Sequence, residues 1–202
     1  MKNIDELIER AKELKERGFT TGEIADELNI SRETALWLIT QDLEKKPRDI
    51  YVDWRSIGTN PKVLKYIALG MVHLVETSIE KGEMESPDVI AGIAVSGLPI
   101  ATLMAEEMET ELAVIRPKKH FWEPNKKSLS SFLLSNFSRV EKKKVLIVDD
   151  IATSGKTIRD AIELLENLRA KPIGAVVVVD KKNLKQIKGV PVISLIKVSI
   201  VE

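Results

Sequence analysis

Residues 145–157, VLIVDDIATSGKT, join an aliphatic run to two adjacent carboxylates and then to a turn of small and hydroxylated residues. The aliphatic run predicts a buried strand, and the apolar spacing that follows the turn predicts a helix. Backbone N–H groups at the start of a helix are unpaired and carry the positive end of the helix dipole, so this turn is suited to hold a phosphate. Gly155 lets the chain approach such a ligand closely. The hydroxyls of Thr153, Ser154 and Thr157 add hydrogen-bond donors.

The ending SGKT also occurs in loops that bind nucleoside triphosphates, but the spacing excludes that reading. The pattern G-x-x-x-x-G-K-[ST] requires a glycine at position 150, where this chain has Asp150. A carboxylate there would repel a triphosphate. Beside a single phosphate, Asp149 and Asp150 are instead suited to accept hydrogen bonds from sugar hydroxyls. The residues therefore indicate a site for a ribose 5-phosphate.

The same stretch resembles the phosphoribosyl pyrophosphate (PRPP) binding motif of type I phosphoribosyltransferases, which has a hydrophobic strand, two acidic residues and a T-[ST]-G-x-T loop. The resemblance implies that Asp149 and Asp150 hold the ribose 2′ and 3′ hydroxyls. It implies that the 5′-phosphate is held by the residues that follow: Ala152, Thr153, Ser154, Gly155, Lys156 and Thr157. The expected ligand is PRPP or a related small phosphorylated sugar or nucleotide, with Mg²⁺ if PRPP is bound.

A second small-residue turn, GIAVSGLPIA at residues 92–101, resembles the pyrophosphate loop of orotate phosphoribosyltransferases. The resemblance implies that Val95, Ser96 and Gly97 offer backbone donors to pyrophosphate. It strengthens the assignment because this turn precedes the acidic motif, as it does in that family.

A basic segment lies between these motifs' strands, with nine Lys and Arg against two Glu in residues 116–144. Such a segment is suited to close over a pyrophosphate, and Arg116, Lys118 and Lys119 are its candidate contacts. The lid of the enzymes, R-K-x-x-K-x-[HY]-G, is not reproduced, because Pro117 follows the arginine and the glycine is absent. No residue is therefore assigned as catalytic, and the segment's alternative role is to attract phosphates without chemistry.

The remaining pattern of residues 47–202 predicts an α/β domain. Apolar strand-like runs alternate with helical spacing, which is typical of a mainly parallel sheet flanked by helices. The predicted strands are PDVIAGIAV, ELAVIR, KKVLIVDD, KPIGAVVVVD and VPVISLI. Together with the two motifs, this pattern predicts the type I phosphoribosyltransferase fold.

Residues 1–46 have a different period and predict a small all-α domain of three helices. Residues 18–35, GFTTGEIADELNISRETA, resemble a helix-turn-helix in which Ser31 begins the recognition helix. A helix-turn-helix places the start of that helix in the major groove of double-stranded DNA. The candidate base contacts are Arg32, Glu33 and Thr34, and the candidate phosphate contacts are Thr21 and Ser31.

The charge of this region is unfavourable for DNA, because it holds eleven Asp and Glu against eight Lys and Arg. The alternative is a three-helix module for oligomerisation or capping. The order of buried positions, turn and helix cap favours the helix-turn-helix.

Composition excludes several classes of protein. The 202 residues carry 31 basic and 31 acidic side chains and no cysteine, which excludes disulfides and thiol catalysis. No apolar run approaches the length of a membrane span, so a cytoplasmic protein without a membrane partner is expected.

In overall plan the chain resembles archaeal orotate phosphoribosyltransferase-like transcriptional regulators of the GfcR type. The resemblance implies a DNA-binding regulator that senses a ribose phosphate. The alternative is an active nucleobase phosphoribosyltransferase that uses PRPP and Mg²⁺. A homodimer is expected, because one helix-turn-helix reads only half a site.

Overall fold

The computed structural model describes residues 2–41, 47, 49–117, 132–136 and 138–199. It separates into two compact units, Met1–Trp54 and Arg55–Glu202. The sequence pattern placed the boundary between residues 46 and 47. The first unit extends a few residues further, and Tyr51 packs against its apolar core.

The first unit contains three helices, α1 (Lys2–Glu16), α2 (Thr21–Glu27) and α3 (Arg32–Thr40). Their apolar faces form one small core, whose fully enclosed side chains include Leu14, Ile24 and Leu38. Trp37 is also buried in this core. Gly18, at φ +88°, ends the first helical segment in the left-handed conformation that glycine adopts without strain.

The second unit contains the helices α4 (Arg55–Gly58), α5 (Pro61–Glu80), α6 (Gly97–Glu107) and α7 (Lys156–Asn167). Its strands are β1 (Val89–Ile93), β2 (Glu111–Pro117), β3 (Phe132–Leu134), β4 (Lys144–Ala152), β5 (Lys171–Asp180), β6 (Gln186–Ile187) and β7 (Val190–Lys197). They form one sheet in the order β3-β2-β1-β4-β5-β7-β6. This is the type I phosphoribosyltransferase fold expected from the sequence, a mixed sheet flanked by helices.

The central strands β2, β1, β4, β5 and β7 are parallel, and the short strands β3 and β6 are antiparallel edges. All five strands expected from apolar runs are present. They were detectable because a parallel sheet covered on both faces is apolar along its whole strand rather than on alternate residues. The short β3, with the sequence FLL, lies inside the basic segment and was not among the predicted strands.

Strand β4 extends two residues beyond the point expected from the sequence. The acidic pair was expected to end the strand, yet Ala152 still pairs with Asp180 of β5 and accepts a hydrogen bond from the Lys181 N–H at 3.0 Å. The reason is that β5 runs alongside as far as Asp180, so the ladder continues past the carboxylates. Asp149 and Asp150 therefore lie within a strand and not in a loop.

The described part of the chain has no helix that is both long and apolar enough to cross a membrane.

The packing of α6 on β1 gives a first prediction. A Cβ added to Gly92 would lie 2.7 Å from the Ala101 Cβ and 3.0 Å from the Leu98 Cα. Because backbone must move to make room, Gly92→Ala is expected to lower the free energy of unfolding by about 1–3 kcal/mol. Denaturant unfolding measures this change.

Gly70→Ala is the matched control. Its added Cβ meets only the Leu195 Cδ2, at 3.4 Å, inside helix α5. It is expected to be neutral or to stabilise by up to about 1 kcal/mol through helix propensity. Equal destabilisation by both substitutions would contradict the packing described for β1 and α6.

Candidate functional site

The order of the strands reverses between β1 and β4. From β1 the chain continues through α6 to β2 on one side, and from β4 it continues through α7 to β5 on the other. In open α/β sheets a crevice forms at such a point, outside the carboxyl ends of the two strands, and ligands bind there. The β1–α6 turn, residues 94–96, and the β4–α7 turn, residues 153–155, lie at this edge of the sheet.

Each of these turns leads directly into a helix whose N-cap residue provides no side-chain cap, and at α7 the Lys156 N–H makes only a long hydrogen bond, of 3.4 Å, to the Ser154 Oγ. The N-cap residues are Ser96 for α6 and Gly155 for α7, and neither makes a capping hydrogen bond through a side chain. By contrast, Thr20, Ser31 and Asn60 cap α2, α3 and α5. Donors left open at two helix starts on the same sheet edge are suited to bind the oxygens of phosphate groups.

Helix α6 approaches strand β4 at its first residue, Gly97. A Cβ added at Gly97 would lie 2.6 Å from the Val148 carbonyl oxygen, 2.9 Å from the Asp149 Cα and 3.2 Å from the Asp149 Oδ1. The start of α6 therefore lies directly against β4 at the first residue of the acidic pair. Two motifs about fifty residues apart in sequence become one site. The residues that the sequence assigned to pyrophosphate and to ribose are neighbours.

The acidic pair is almost enclosed, with Asp149 7% and Asp150 2% exposed. The Asp149 Oδ1 accepts a hydrogen bond from the Asp150 N–H at 2.9 Å, and the Asp150 Oδ1 accepts one from the Ile151 N–H at 2.8 Å. These bonds fix the orientation of both carboxylates. Two adjacent carboxylates buried at the carboxyl edge of a mainly parallel sheet lie where ligands bind in folds of this kind, so they remain candidate ligand contacts.

The β4–α7 turn is held in place from the next strands. Gly155 has φ +75°, and a Cβ there would lie 2.9 Å from the Ile187 Cδ1 and 3.1 Å from the Leu184 Cδ1. The left-handed conformation favours glycine at this position, and the ends of the two neighbouring side chains would have to shift to admit a Cβ. Within the turn, Ser154 is exposed and Thr153 is half-buried.

Asp180 supports this turn and was not identified from the sequence. It is fully buried at the end of β5, where its carboxylate accepts hydrogen bonds from the Lys182 N–H at 2.8 Å and the Leu184 N–H at 2.6 Å. These bonds set the position of Leu184 against Gly155. The available signal was the ending of KPIGAVVVVD, since a carboxylate after a buried strand must find hydrogen-bond donors.

The side chain of Lys188 connects the β6–β7 turn to helix α7 through a hydrogen bond. Its ammonium donates a hydrogen bond to the Glu166 Oε2 at 2.7 Å. This bond raises the pKa of Lys188 above its ordinary value, so the ammonium stays charged throughout the physiological range. The contact helps to keep Ile187 beside Gly155.

The other residues assigned to this site from the sequence occupy varied positions. Lys156 begins α7, and its ammonium bonds to the Asp160 Oδ2 at 2.6 Å, one turn into the helix. Thr157 follows in the first turn and is half-buried. Val95 is 84% exposed, and Arg116 is exposed near the carboxyl end of β2. Lys118 and Lys119 lie outside the described residues.

The residues assigned to DNA lie in the first unit, around the start of α3. Arg32 and Glu33 are exposed, and the Arg32 guanidinium lies over Gly22 at the start of α2, 2.8 Å from where a Cβ would be. Thr21 is half-buried in the same region.

Ser31 caps α3 as the sequence indicated. Its Oγ accepts a hydrogen bond from the Thr34 N–H at 3.1 Å. Ser31 and Thr34 also bond to the carboxylate of Asp49, a residue that the sequence did not single out.

Comparison with known proteins agrees with this geometry. Residues 53–199 match the family model described as "Phosphoribosyl transferase domain". The chain is 44% identical over 198 residues to "Transcriptional regulator GfcR" of Archaeoglobus fulgidus, with 98% of each chain covered. It is 45% identical over 202 residues to the protein of the same name from Methanobrevibacter smithii, with 95% of this chain and 96% of that protein covered.

Solved structures share the fold at low sequence identity. Adenine phosphoribosyltransferase from Thermoanaerobacter pseudethanolicus matches with a TM-score of 0.57 and 21% identity, covering 78% of this chain and 92% of that one. Adenine phosphoribosyltransferase from Trypanosoma brucei, solved with AMP, pyrophosphate and ribose-5-phosphate, matches with a TM-score of 0.55 and 19% identity. That match covers 75% of this chain and 72% of that one.

The support from Asp180 gives a second prediction. In Asp180→Asn one of the two acceptor oxygens becomes an NH₂ group, which leaves a buried N–H facing another donor. The free energy of unfolding is expected to fall by about 1–3 kcal/mol. Hydrogen exchange at the Lys182 and Leu184 amides should accelerate more than the average for the sheet.

Asp88→Asn is the control, because the exposed Asp88 carboxylate also accepts a backbone hydrogen bond, from the Lys144 N–H at 2.8 Å. Water can replace that bond, so its loss is expected to cost under about 1 kcal/mol. Unchanged exchange at Lys182 and Leu184 in Asp180→Asn would remove Asp180 from the support of the turn.

Proposed function

Because the chain belongs to the GfcR family and carries a phosphoribosyltransferase domain, we propose that it is a DNA-binding transcriptional regulator whose second unit binds PRPP or a related ribose phosphate as effector. The observation that carries the proposal is the contact of Gly97 with Asp149. It brings two uncapped helix starts and a buried pair of carboxylates to one sheet edge.

The chemistry of that edge favours a phosphorylated sugar. The N–H groups at the start of α7 would hold the 5′-phosphate, and Asp149 and Asp150 would accept hydrogen bonds from the ribose hydroxyls. The start of α6 would hold the pyrophosphate of PRPP. A ligand with separate anionic and hydroxylated parts satisfies both halves of the site, whereas inorganic phosphate satisfies one. The ligands in the Trypanosoma brucei structure, which shares the fold, are of this class.

Mg²⁺ would accompany PRPP. The described residues contain no cluster of three or more His, Asp and Glu side chains that could hold a metal ion by themselves. The ion would therefore be held mainly by the pyrophosphate oxygens and water, as Mg²⁺ prefers, with the nearby carboxylates in its outer surroundings.

The first unit supplies the proposed DNA contact. Helix α3 would enter the major groove with Arg32, Glu33 and Thr34 towards the bases, while Ser31 and Thr21 approach the phosphates. Leu36 is 52% exposed on the same helix, and its apolar surface suits the methyl group of thymine.

The acidic residues of this unit are compatible with DNA binding when their positions are considered. Glu23 bonds to the Thr20 N–H at 2.7 Å and completes the cap of α2. Glu13, on α1, forms an ion pair with Arg10 at 3.0 Å.

A homodimer would place two α3 helices on a two-fold symmetric site, and a regulator of this kind acts in the cytoplasm with its DNA.

The alternative is an active nucleobase phosphoribosyltransferase, which would use the same site. The sequence favours a regulator because the lid pattern of the enzymes is absent. Incubation with PRPP, Mg²⁺ and a panel of nucleobases separates the two, since only a transferase releases pyrophosphate when a base is added. Turnover would support the enzyme, and PRPP-dependent DNA retention without turnover would support the regulator.

The acidic pair gives a third prediction. The double variant Asp149→Asn, Asp150→Asn is expected to lose PRPP binding by at least about 100-fold, because two charge-assisted acceptors for the ribose are removed. Isothermal titration with PRPP and Mg²⁺ measures the affinity, and circular dichroism checks that the fold is kept.

The control for the acidic pair is Glu106→Gln, Glu107→Gln, which removes two adjacent negative charges at the exposed end of α6. It should leave PRPP affinity within about twofold, because the two glutamates lie at the opposite end of α6 from Gly97, where solvent and salt screen exposed charges. Equal PRPP affinity in the aspartate variant and the wild type would exclude both aspartates from the site.

A fourth prediction concerns DNA. A duplex selected by the wild-type protein from a random pool should bind Arg32→Ala about 5- to 150-fold more weakly, the range expected for one lost base contact. Arg10→Ala, which removes an exposed arginine from α1, should change affinity far less. Fluorescence anisotropy measures both variants, and equal losses would point to general charge rather than to α3.

A further inference from the structure

The chain returns to the start of α3 just before the second unit begins. It leaves α3 at Gln41, the C-cap of that helix, and at Asp49 it is back beside Ser31, at the opposite end. Tyr51 then packs against the apolar core of the helices. The family match to the phosphoribosyltransferase domain begins at residue 53, four residues after Asp49.

One carboxylate oxygen makes this return contact. The Asp49 Oδ2 accepts hydrogen bonds from the Ser31 N–H at 2.7 Å and from the Thr34 Oγ1 at 2.9 Å. The other oxygen, Oδ1, accepts the Ile50 N–H at 2.7 Å. Both oxygens are therefore engaged, and the orientation of the carboxylate is fixed. We refer to this set of hydrogen bonds as the Asp49 cap.

Helix α3 already has an N-terminal cap without Asp49. Ser31 already caps α3 through its own Oγ, which bonds to the Thr34 N–H and lies 2.8 Å from the Thr34 Oγ1. Asp49 adds a negative charge at the positive end of the helix dipole and charge-assisted bonds from two donors. Its distinct effect is to tie a later segment of chain to the two residues that flank Arg32 and Glu33.

The tether from this cap to the second unit is short. Six residues lead from Asp49 to Arg55, the first residue of the second unit, and they span at most about 20–22 Å when fully extended. Tyr51, within this segment, packs on the core of the first unit. The segment is therefore a short covalent link that begins beside the start of α3.

We propose that Asp49 is a positioning residue that couples ligand binding in the phosphoribosyltransferase domain to the placement of α3 on DNA. The proposal rests on the proposed function, and it adds the residue through which the two parts communicate. A ligand changes DNA affinity only if it favours one arrangement of α3 over another. Asp49 transmits that preference because its carboxylate holds the backbone N–H of Ser31 and the hydroxyl of Thr34.

The test compares the response to ligand rather than affinity alone. A duplex selected by the wild-type protein is titrated with the full chain by fluorescence anisotropy, with and without PRPP and Mg²⁺. The ratio of the two dissociation constants measures coupling, and about 5- to 150-fold is the range expected for the wild type. Asp49→Asn is expected to bring the ratio to within about twofold of one while PRPP binding, measured by isothermal titration, is kept.

Asp5→Asn is the matched control, because it makes the same chemical change at an exposed position on α1. It should leave the ratio at the wild-type value. A purely structural role for Asp49 would lower affinity with and without PRPP by the same factor and keep the ratio, and this result would overturn the proposal.

A second variant covers the case in which Asp49→Asn does not fold. Thr34→Val keeps the carboxylate and its bond from the Ser31 N–H but removes the hydroxyl, so it is expected to reduce the ratio by a smaller factor. If Asp49→Asn is unfolded and Thr34→Val is folded, the second variant decides. A ratio of dissociation constants in Thr34→Val equal to that of the wild type would then contradict the proposal. If PRPP does not change the DNA affinity of the wild type, the proposed effector is wrong. If PRPP changes the DNA affinity of the wild type and of Asp49→Asn by the same factor, the effector is right and the role proposed for Asp49 is wrong.

Discussion

The site in the second unit depends on the close approach between the start of α6 and the end of β4. Position 97 has no room for a side chain, because a Cβ there would lie 2.6 Å from the Val148 carbonyl oxygen. That contact holds the β1–α6 turn against Asp149 at the point where the strand order reverses. Two helix starts without side-chain caps then share one sheet edge with two buried carboxylates. Helix dipoles favour anions, and under the proposed function the carboxylates would favour a ligand that also has hydroxyl groups.

Sensing and catalysis make different demands on such a site. A sensor needs contacts to the ligand as it is bound, whereas a transferase must also stabilise the charge that develops on departing pyrophosphate. In the proposed function, the turns and the acidic pair would provide the first kind of contact. In the enzymes that the sequence resembles, a lid with a conserved cationic pattern provides the second, and this chain replaces it with RPKKHFWEPNKK. The preserved site and the replaced lid together favour a regulator that retained ligand binding.

Much of the fold was predictable because its signals are local. Buried parallel strands are continuously apolar, and Ser31 has the hydroxyl and spacing of a helix cap, so both were identified from the sequence alone. The contacts that organise the sites were not identified. Asp49 bonds to Ser31 and Thr34, which lie 18 and 15 residues earlier, and no local pattern indicates that pairing. Asp180 bonds to the nearby Lys182 and Leu184 N–H groups, but its effect on the site depends on the packing of Leu184 against Gly155, which the sequence does not show. The end of β4 was misplaced for the same reason, since its length is set by β5.

The central claim is that a ribose phosphate binds where β4 meets α7, and a crystal structure of the protein grown with PRPP and Mg²⁺ tests it most directly. The account predicts the 5′-phosphate within hydrogen-bond distance of the N–H groups at residues 154–157, and ribose hydroxyls bonded to Asp149 and Asp150. Density for the ligand at another position, with both carboxylates turned away from it, would contradict the account.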